Sequence, residues 1–253
     1  MTQSKIALVT GGSRGLGKDM AIKLAQKGID VIITYSTKKA EADIVVDEIK
    51  KIGQKATSIQ LNITETNTFD NFFNNVKNEL VTKFNAEKID FLINNAGIGI
   101  YNNFSTTTEE QFDELLKIQF KGPFFLTQKA LEFINDGGGI VNISTGLTRF
   151  AFAGYSAYAS MKGAIETLTK YQAKEFGDRK IRVNVVAPGA IETDFGGGVV
   201  RDNTDLNNHI SSITALGRVG LADDIGGVVA FLCTEDAKWI NAQRIEVSGG
   251  VLI

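Results

Sequence analysis

Seven short runs rich in β-branched residues, at 6–10, 31–35, 57–61, 89–93, 140–144, 183–187 and 244–247, alternate with longer stretches of helical periodicity, among them 20–27, 41–51, 109–133 and 158–176. Strands separated by helices close through right-handed crossovers into a parallel sheet. The alternation runs unbroken, so it predicts one α/β domain over residues 1–253, a doubly wound parallel sheet of about seven strands flanked by helices. Two glycine clusters interrupt it. Gly137-Gly138-Gly139 stands just before the fifth run and reads as a tight turn from helix to strand. Gly196-Gly197-Gly198 lies in residues 190–216, a stretch without strand or helix character. Loops of that length in a compact domain usually carry function, and this one is assigned to substrate.

Charge and composition remove several classes. The 27 Lys and Arg are interspersed with 29 Asp and Glu, for a net charge of −2, which leaves no basic stripe for a nucleic acid. No apolar run approaches the ~20 residues that span a bilayer. A strand-like run begins almost at once, with no signal peptide before it, and Cys233 is the only cysteine, so no intrachain disulfide forms. The expectation is a cytoplasmic protein without membrane or nucleic-acid partners. His209 is the only histidine, which excludes a Ser-His-Asp hydrolase and a histidine-rich zinc site; no metal is expected, and His209 itself reads as a solvated side chain. Cys233 reads as core packing, and Trp239 as a subunit contact or local packing.

The first run passes directly into Thr10-Gly11-Gly12-Ser13-Arg14-Gly15-Leu16-Gly17, with a helix after it. Such a turn brings backbone N–H groups and a helix N-terminus up to a pyrophosphate. Gly11 makes the tight turn, Gly15 admits the phosphates and Gly17 lets the helix pack on the strand. An NAD site places an acid about 20 residues further on, against the ribose 2′-hydroxyl. The second run instead ends Thr34-Tyr35-Ser36-Thr37-Lys38-Lys39, without a carboxylate. Arg14 and Ser36 are placed to meet a 2′-phosphate, and NADP(H) is favoured over NAD(H).

Tyr158 and Lys162 are four apart and share one face of a helix. An ammonium beside a phenol lowers its pKa, and a phenol so tuned can protonate a carbonyl oxygen as hydride arrives. Tyr35 and Lys39 repeat the spacing, but at a strand end and without a serine partner. Ser144 ends the fifth run at the same sheet edge as the glycine loop, where its hydroxyl can hold a substrate carbonyl.

These motifs together resemble the short-chain dehydrogenase/reductase family, with the texture of its β-ketoacyl-(acyl-carrier-protein) reductase branch. The glycine spacing, Asn94-Asn95-Ala96-Gly97 after the fourth run, the strand-end serine before Tyr-xxx-Lys, Pro188-Gly189-Ala190-Ile191-Glu192-Thr193 after the sixth run, and Val247-Ser248-Gly249-Gly250 all carry the likeness. It implies a Rossmann-type fold, a catalytic triad of Ser144, Tyr158 and Lys162, and a homotetramer. Gln119 occupies the slot of the family's fourth catalytic residue, an asparagine, and its longer amide puts the usual proton relay in doubt. Cofactor contacts are implied at Gly11, Ser13, Arg14, Gly15, Leu16, Gly17, Tyr35, Ser36, Asn62, Ile63, Asn94, Ala96, Gly97, Tyr158, Lys162, Pro188, Gly189, Ile191 and Thr193. Asn62 replaces the aspartate that touches adenine.

The function these readings favour is NADPH-dependent reduction of a ketone to a secondary alcohol, reversibly, on a small carbonyl or alcohol substrate. An NAD-linked alcohol dehydrogenase and a catalytically silent dinucleotide sensor stand as alternatives. The missing acid near Tyr35 counts against the first and the complete triad against the second. Phe150, Phe152, Tyr155 and Phe195 flank the catalytic segments and suit an apolar pocket or core packing.

Overall fold

The computed structural model describes residues 4–253. Seven strands, β1 (Ile6–Val9), β2 (Asp30–Tyr35), β3 (Ala56–Gln60), β4 (Ile89–Asn94), β5 (Ile134–Ile143), β6 (Arg182–Pro188) and β7 (Arg244–Val247), form one parallel sheet in the order β3-β2-β1-β4-β5-β6-β7. Successive side chains on a strand face opposite ways, and both faces of this sheet are covered. Ala7, Val9, Val31 and Ile33 pack under α1 (Gly15–Gln26), α2 (Lys39–Ile52) and, late in the chain, a helix over Asp223–Leu232. Ile6, Leu8 and Ile32 pack under α3 (Phe69–Glu79) and helices from the middle of the chain. The strand order reverses between β1 and β4, which opens a crevice at their carboxyl ends, the place where such sheets bind ligands.

Three local expectations need correction. Residues 109–133 are not one helix: α4 (Glu109–Leu116) passes through a π-turn, Lys117–Lys121, into α5 (Gly122–Ala130). Pro123 has no N–H to give the Gln119 carbonyl four residues back, and the Gly122 N–H bonds instead to Lys117 O, one residue further than an α-turn allows. The three glycines at 137–139 lie inside β5, not before it, where the register shifts between Ile89 and Phe91 of β4. Gly137, at φ +78°, supplies the left-handed residue that the bulge requires. Residues 190–216 are partly helical, with α7 (Val199–Asp202) and α8 (Thr204–Ser212), after which come α9 (Asp223–Leu232) and β7.

The remaining long helix, α6 (Ser156–Glu175), packs on β5 and β6. A buried amide chain ties it to the sheet centre. Asn94 Nδ2 donates to Thr127 Oγ1 (2.9 Å) and to Asn142 Oδ1 (2.8 Å), and Asn142 Nδ2 donates to Thr169 Oγ1 (2.9 Å) and Gln172 Oε1 (3.0 Å). Cys233 is buried in the first core and His209 is exposed on α8. Trp239 is 95% exposed, so local packing does not account for it. Among the described residues no helix is long and apolar enough to cross a membrane.

Candidate active site

The glycine turn is shaped by close approaches. Gly11 (φ +66°) and Gly15 (φ +54°) are left-handed, and Gly17 sits so tightly on the Gly11 carbonyl that any Cβ there would overlap it. Asn95 is the strut that sequence reading passed over: its Nδ2 donates to Thr10 O (2.9 Å) and Gly11 O (3.2 Å), and Thr10 Oγ1 accepts from the N–H groups of Asn95 and Ala96. The neighbouring Asn94 is buried on Thr127 and Asn142, so its amide braces the sheet and does not reach the crevice. Its place as the last residue of β4, on the inward face, decides this.

α1 begins at Gly15 with no side chain capping it, so its first N–H groups point outward. Among the described residues only the Thr193 side chain approaches Gly15, at 3.7 Å from where a Cβ would stand. The cradle and the helix N-terminus fit a dinucleotide pyrophosphate. Arg14 is half exposed, with Nη1 3.7 Å from Asp194 Oδ2, and Asp194 also accepts from Arg201 Nη1 at 2.7 Å. Ser36 is exposed at the end of β2, and its carbonyl accepts from Gln60 Nε2 (2.9 Å). Asn62 departs from expectation: Oδ1 accepts from Thr64 N and Oγ1 while Nδ2 donates to Glu65, so the amide closes its own turn. Ile63 is buried in the second core. At the other side of the crevice, Gly189 packs on Ser248, Ile191 bridges to Gly220, and Thr193 Oγ1 accepts from Phe195 N (3.2 Å).

The decoy pair separates. Tyr35 ends β2, while Lys39 opens α2 and donates to Asp43 (2.6 Å). Tyr158 and Lys162 lie one turn apart on α6, both buried, with Lys162 Nζ 5.8 Å from the phenol ring centroid and donating to Ile143 O (2.8 Å).

Ser144 is not the hydroxyl that meets Tyr158. Its Oγ donates to Glu166 Oε1 (2.7 Å), on the face of β5 that also carries Asn142 towards α6. The side chain that pulls the phenol towards ionisation is that of the next residue, Thr145. Thr145 lies just past the strand, where its Oγ1 also accepts from Leu147 N (3.3 Å). Two adjacent hydroxyls precede Tyr158, and the two-residue alternation Asn142, Ser144 was the available signal that Ser144 faces inward. Glu166 Oε1 further accepts from Thr148 Oγ1 (2.6 Å) and Arg244 Nε (2.8 Å), so Ser144 belongs to a charged brace behind the site.

Gln119, on the π-turn, is also placed otherwise than expected. Its Nε2 donates to the Ile98 carbonyl, its amide lies over Gly97, and its buried Oε1 has no partner. The extra methylene carries the amide onto the turn after β4, and its nitrogen does not reach Lys162.

The electrostatics differ from the simple phenol–ammonium picture. Burial dominates at Tyr158 and raises the phenol above its ordinary value, against the lowering pull of Thr145. Burial also brings Lys162 down from 10.5 to about 7. The folded chain therefore gives up a proton that the unfolded chain keeps, and through this group stability rises as pH climbs from about 7 towards 10.5. Cys233, pushed up to about 12, and Tyr158 oppose the trend only above their unfolded values of 9.0 and 10.0. Urea titrations at about pH 7 and about pH 8.5 are expected to show wild type gaining stability relative to Lys162→Met. Parallel behaviour of the two proteins would contradict the assignment.

Known proteins share this architecture. The family model described as Enoyl-(Acyl carrier protein) reductase matches residues 11–252. The short-chain dehydrogenase/reductase FrzI of Cladobotryum sp is 36% identical, over 98% of this chain and 96% of that protein. The trihydroxynaphthalene reductase PfmaI of Pestalotiopsis fici is 32% identical, over 99% and 90%. Among solved structures, landomycin C-6 ketoreductase LanV with bound NADP and rabelomycin superposes with a TM-score of 0.89 at 37% identity, covering 98% of this chain and 96% of that one. With its parallel sheet, glycine cradle and helix-borne Tyr158 and Lys162, the chain belongs to the short-chain dehydrogenase/reductase family of NAD(P)-dependent oxidoreductases acting on the alcohol–carbonyl pair.

Proposed function

We propose that this protein is an NADPH-dependent ketoreductase in which Tyr158 protonates the carbonyl oxygen, Thr145 orients it and Lys162 holds the nicotinamide ribose. The observation that carries this reading is the convergence of Thr145, Tyr158 and Lys162 at the sheet edge that also bears the glycine cradle. The bound cofactor supplies hydride to the carbonyl carbon. Tyr158 supplies the proton to the oxygen, and the product is a secondary alcohol. Burial keeps the phenol protonated at neutral pH, the form that a proton donor starts from. Thr145, with its hydroxyl beside the phenol, steadies charge developing on the same oxygen. Gln119 is a positioning residue that holds the turn after β4.

The residues that would bind the cofactor are the turn Gly11–Gly17 for the pyrophosphate, Arg14 and Ser36 for the 2′-phosphate, Asn95 and Ala96 through the turn after β4, and Ile191 and Thr193 for the carboxamide. NADP in a relative 37% identical supports the same choice here. The chain works as one domain, with residues 190–216 closing over substrate. NADPH is expected to exceed NADH in kcat/KM on a single ketone, and Arg14→Ala to reduce that preference roughly 10–100-fold by removing a charged hydrogen-bond donor. Equal efficiencies in wild type would refute the cofactor choice.

A cytoplasmic homotetramer is the assembly we propose. Phe112, Phe124 and Phe125 on α4 and α5 and Tyr171 on α6 are exposed, as are Trp239 and Ile253 near β7. Two separate apolar faces suit two kinds of symmetric contact. Light scattering at micromolar concentration is expected to give four times the chain mass, and a monomeric mass would overturn it.

A further inference from the structure

We infer that the substrate side of this site is built for a neutral, flat, fused-ring aromatic ketone, with Phe195 as the residue that selects it; the inference rests on the ketoreductase reading above. Four rings follow one another across the catalytic phenol. Phe195 lies 5.7 Å from Tyr158 between centroids, Tyr155 lies 6.5 Å from it, and Tyr101 stands edge-on to Tyr155 at 5.4 Å. Such spacings leave ring faces and edges disposed for offset or edge-to-face partners.

Glycines seat these rings. A Cβ at Gly99 would stand 2.6 Å from the Phe195 ring, one at Gly154 would overlap the Tyr101 ring, and one at Gly146 would press on Phe150. Phe195 itself precedes three consecutive left-handed glycines, Gly196 to Gly198, a run that side chains other than glycine rarely adopt. The ring thus packs on Gly99 and beside Tyr158 yet remains 45% exposed.

Tyr155, the neighbour of the catalytic phenol, also lines a cavity of about 300 Å³, walled chiefly by Phe104, Leu147, Ala151 and Phe152. No charged side chain lines it; Asn103 and Ser156 are its polar members. That volume is at the small end of ligand sites, where apolar walls with a few polar groups bind compact ligands. A reacting ring beside Tyr158 adjoins Phe195 and Tyr155, and the rest of a fused system extends along Tyr155 towards this cavity. An acyl thioester with a long flexible polar arm gains nothing from stacked rings and finds no cation here.

The test compares α-tetralone, a fused-ring ketone, with the N-acetylcysteamine thioester of acetoacetate, using NADPH and the full chain. Calorimetric binding of 2-naphthol, which cannot be reduced as a ketone, gives a readout independent of turnover. Wild type is expected to favour α-tetralone at least tenfold in kcat/KM. Phe195→Leu, which keeps apolar bulk and loses the ring, is expected to cut that preference about tenfold, chiefly through KM, and to weaken 2-naphthol similarly, with Phe195→Tyr restoring both. Equal losses on both ketones, or 2-naphthol binding indifferent to Phe195→Leu, would overturn the inference while leaving keto reduction intact. Ring-dependent 2-naphthol binding with neither ketone reduced would uphold the aromatic site and overturn the ketoreductase reading instead.

Discussion

Tyr158→Phe is expected to lower kcat for ketone reduction by roughly 10²–10⁴-fold, the usual cost of losing a general acid, while the protein stays folded and still binds NADPH. The phenol ring is buried between α6 and the crevice, and the phenylalanine ring fills the same space. Only the phenolic hydroxyl is lost. Tyr35→Phe is the matched control. Its phenol ends β2, at the adenosine side, where Lys39 is already bound to Asp43. Single-turnover rates with saturating NADPH are expected to keep the Tyr35→Phe chemical step near wild type. A Tyr158→Phe protein with near-normal kcat would end the proposed mechanism.

The second large effect separates two neighbouring hydroxyls. Thr145→Val keeps the shape and removes the group beside the phenol; kcat is expected to fall roughly 10²–10³-fold, as when one oxyanion donor is deleted. Thr145→Ser is expected to stay within several-fold of wild type. Ser144→Ala leaves the chemistry alone and strips a part-buried hydrogen bond to Glu166, which keeps Thr148 and Arg244, for a stability loss of about 0.5–1.5 kcal/mol. Steady-state kinetics and urea melts on the three variants give the pattern. A Ser144→Ala protein as slow as Thr145→Val would reverse the assignment.

The contrast between these residues shows what the sequence makes legible. β-Branched runs alternating with helices, and glycine placement, were enough for the strand count, the parallel sheet and the cradle at Gly11–Gly17, because those features depend on local chemistry and on burial of both sheet faces. Tyr158 and Lys162 were readable because four residues on a helix fix a shared face. What escaped depended on direction within a single step of chain. Ser144 and Thr145 differ by one position, yet one faces Glu166 and the other Tyr158. Asn94 and Asn95 divide likewise between the sheet interior and the glycine turn. The π-turn could be anticipated only by asking which carbonyl Pro123 leaves unanswered. Of the pocket rings, Tyr155 and Phe195 stand out beside the catalytic segments, whereas Tyr101 is brought to Tyr155 only by the fold.

Asn94 and Asn142 stand directly opposite in the pairing of β4 with β5, and their side chains are bonded to each other. In a parallel sheet whose neighbours are joined by long crossovers, mispaired strands are the natural folding error, and pairing of distant segments is slow. A slip of β5 by one residue would turn Asn142 to the opposite face, away from Asn94, Thr169 and Gln172, and strand its amide in a dry interior. The amide chain therefore acts as a proofreading mark for assembly. It penalises the slipped sheet far more than it strengthens the correct one, and it does so at the strand ends that must be aligned before Thr145 and Tyr158 can meet.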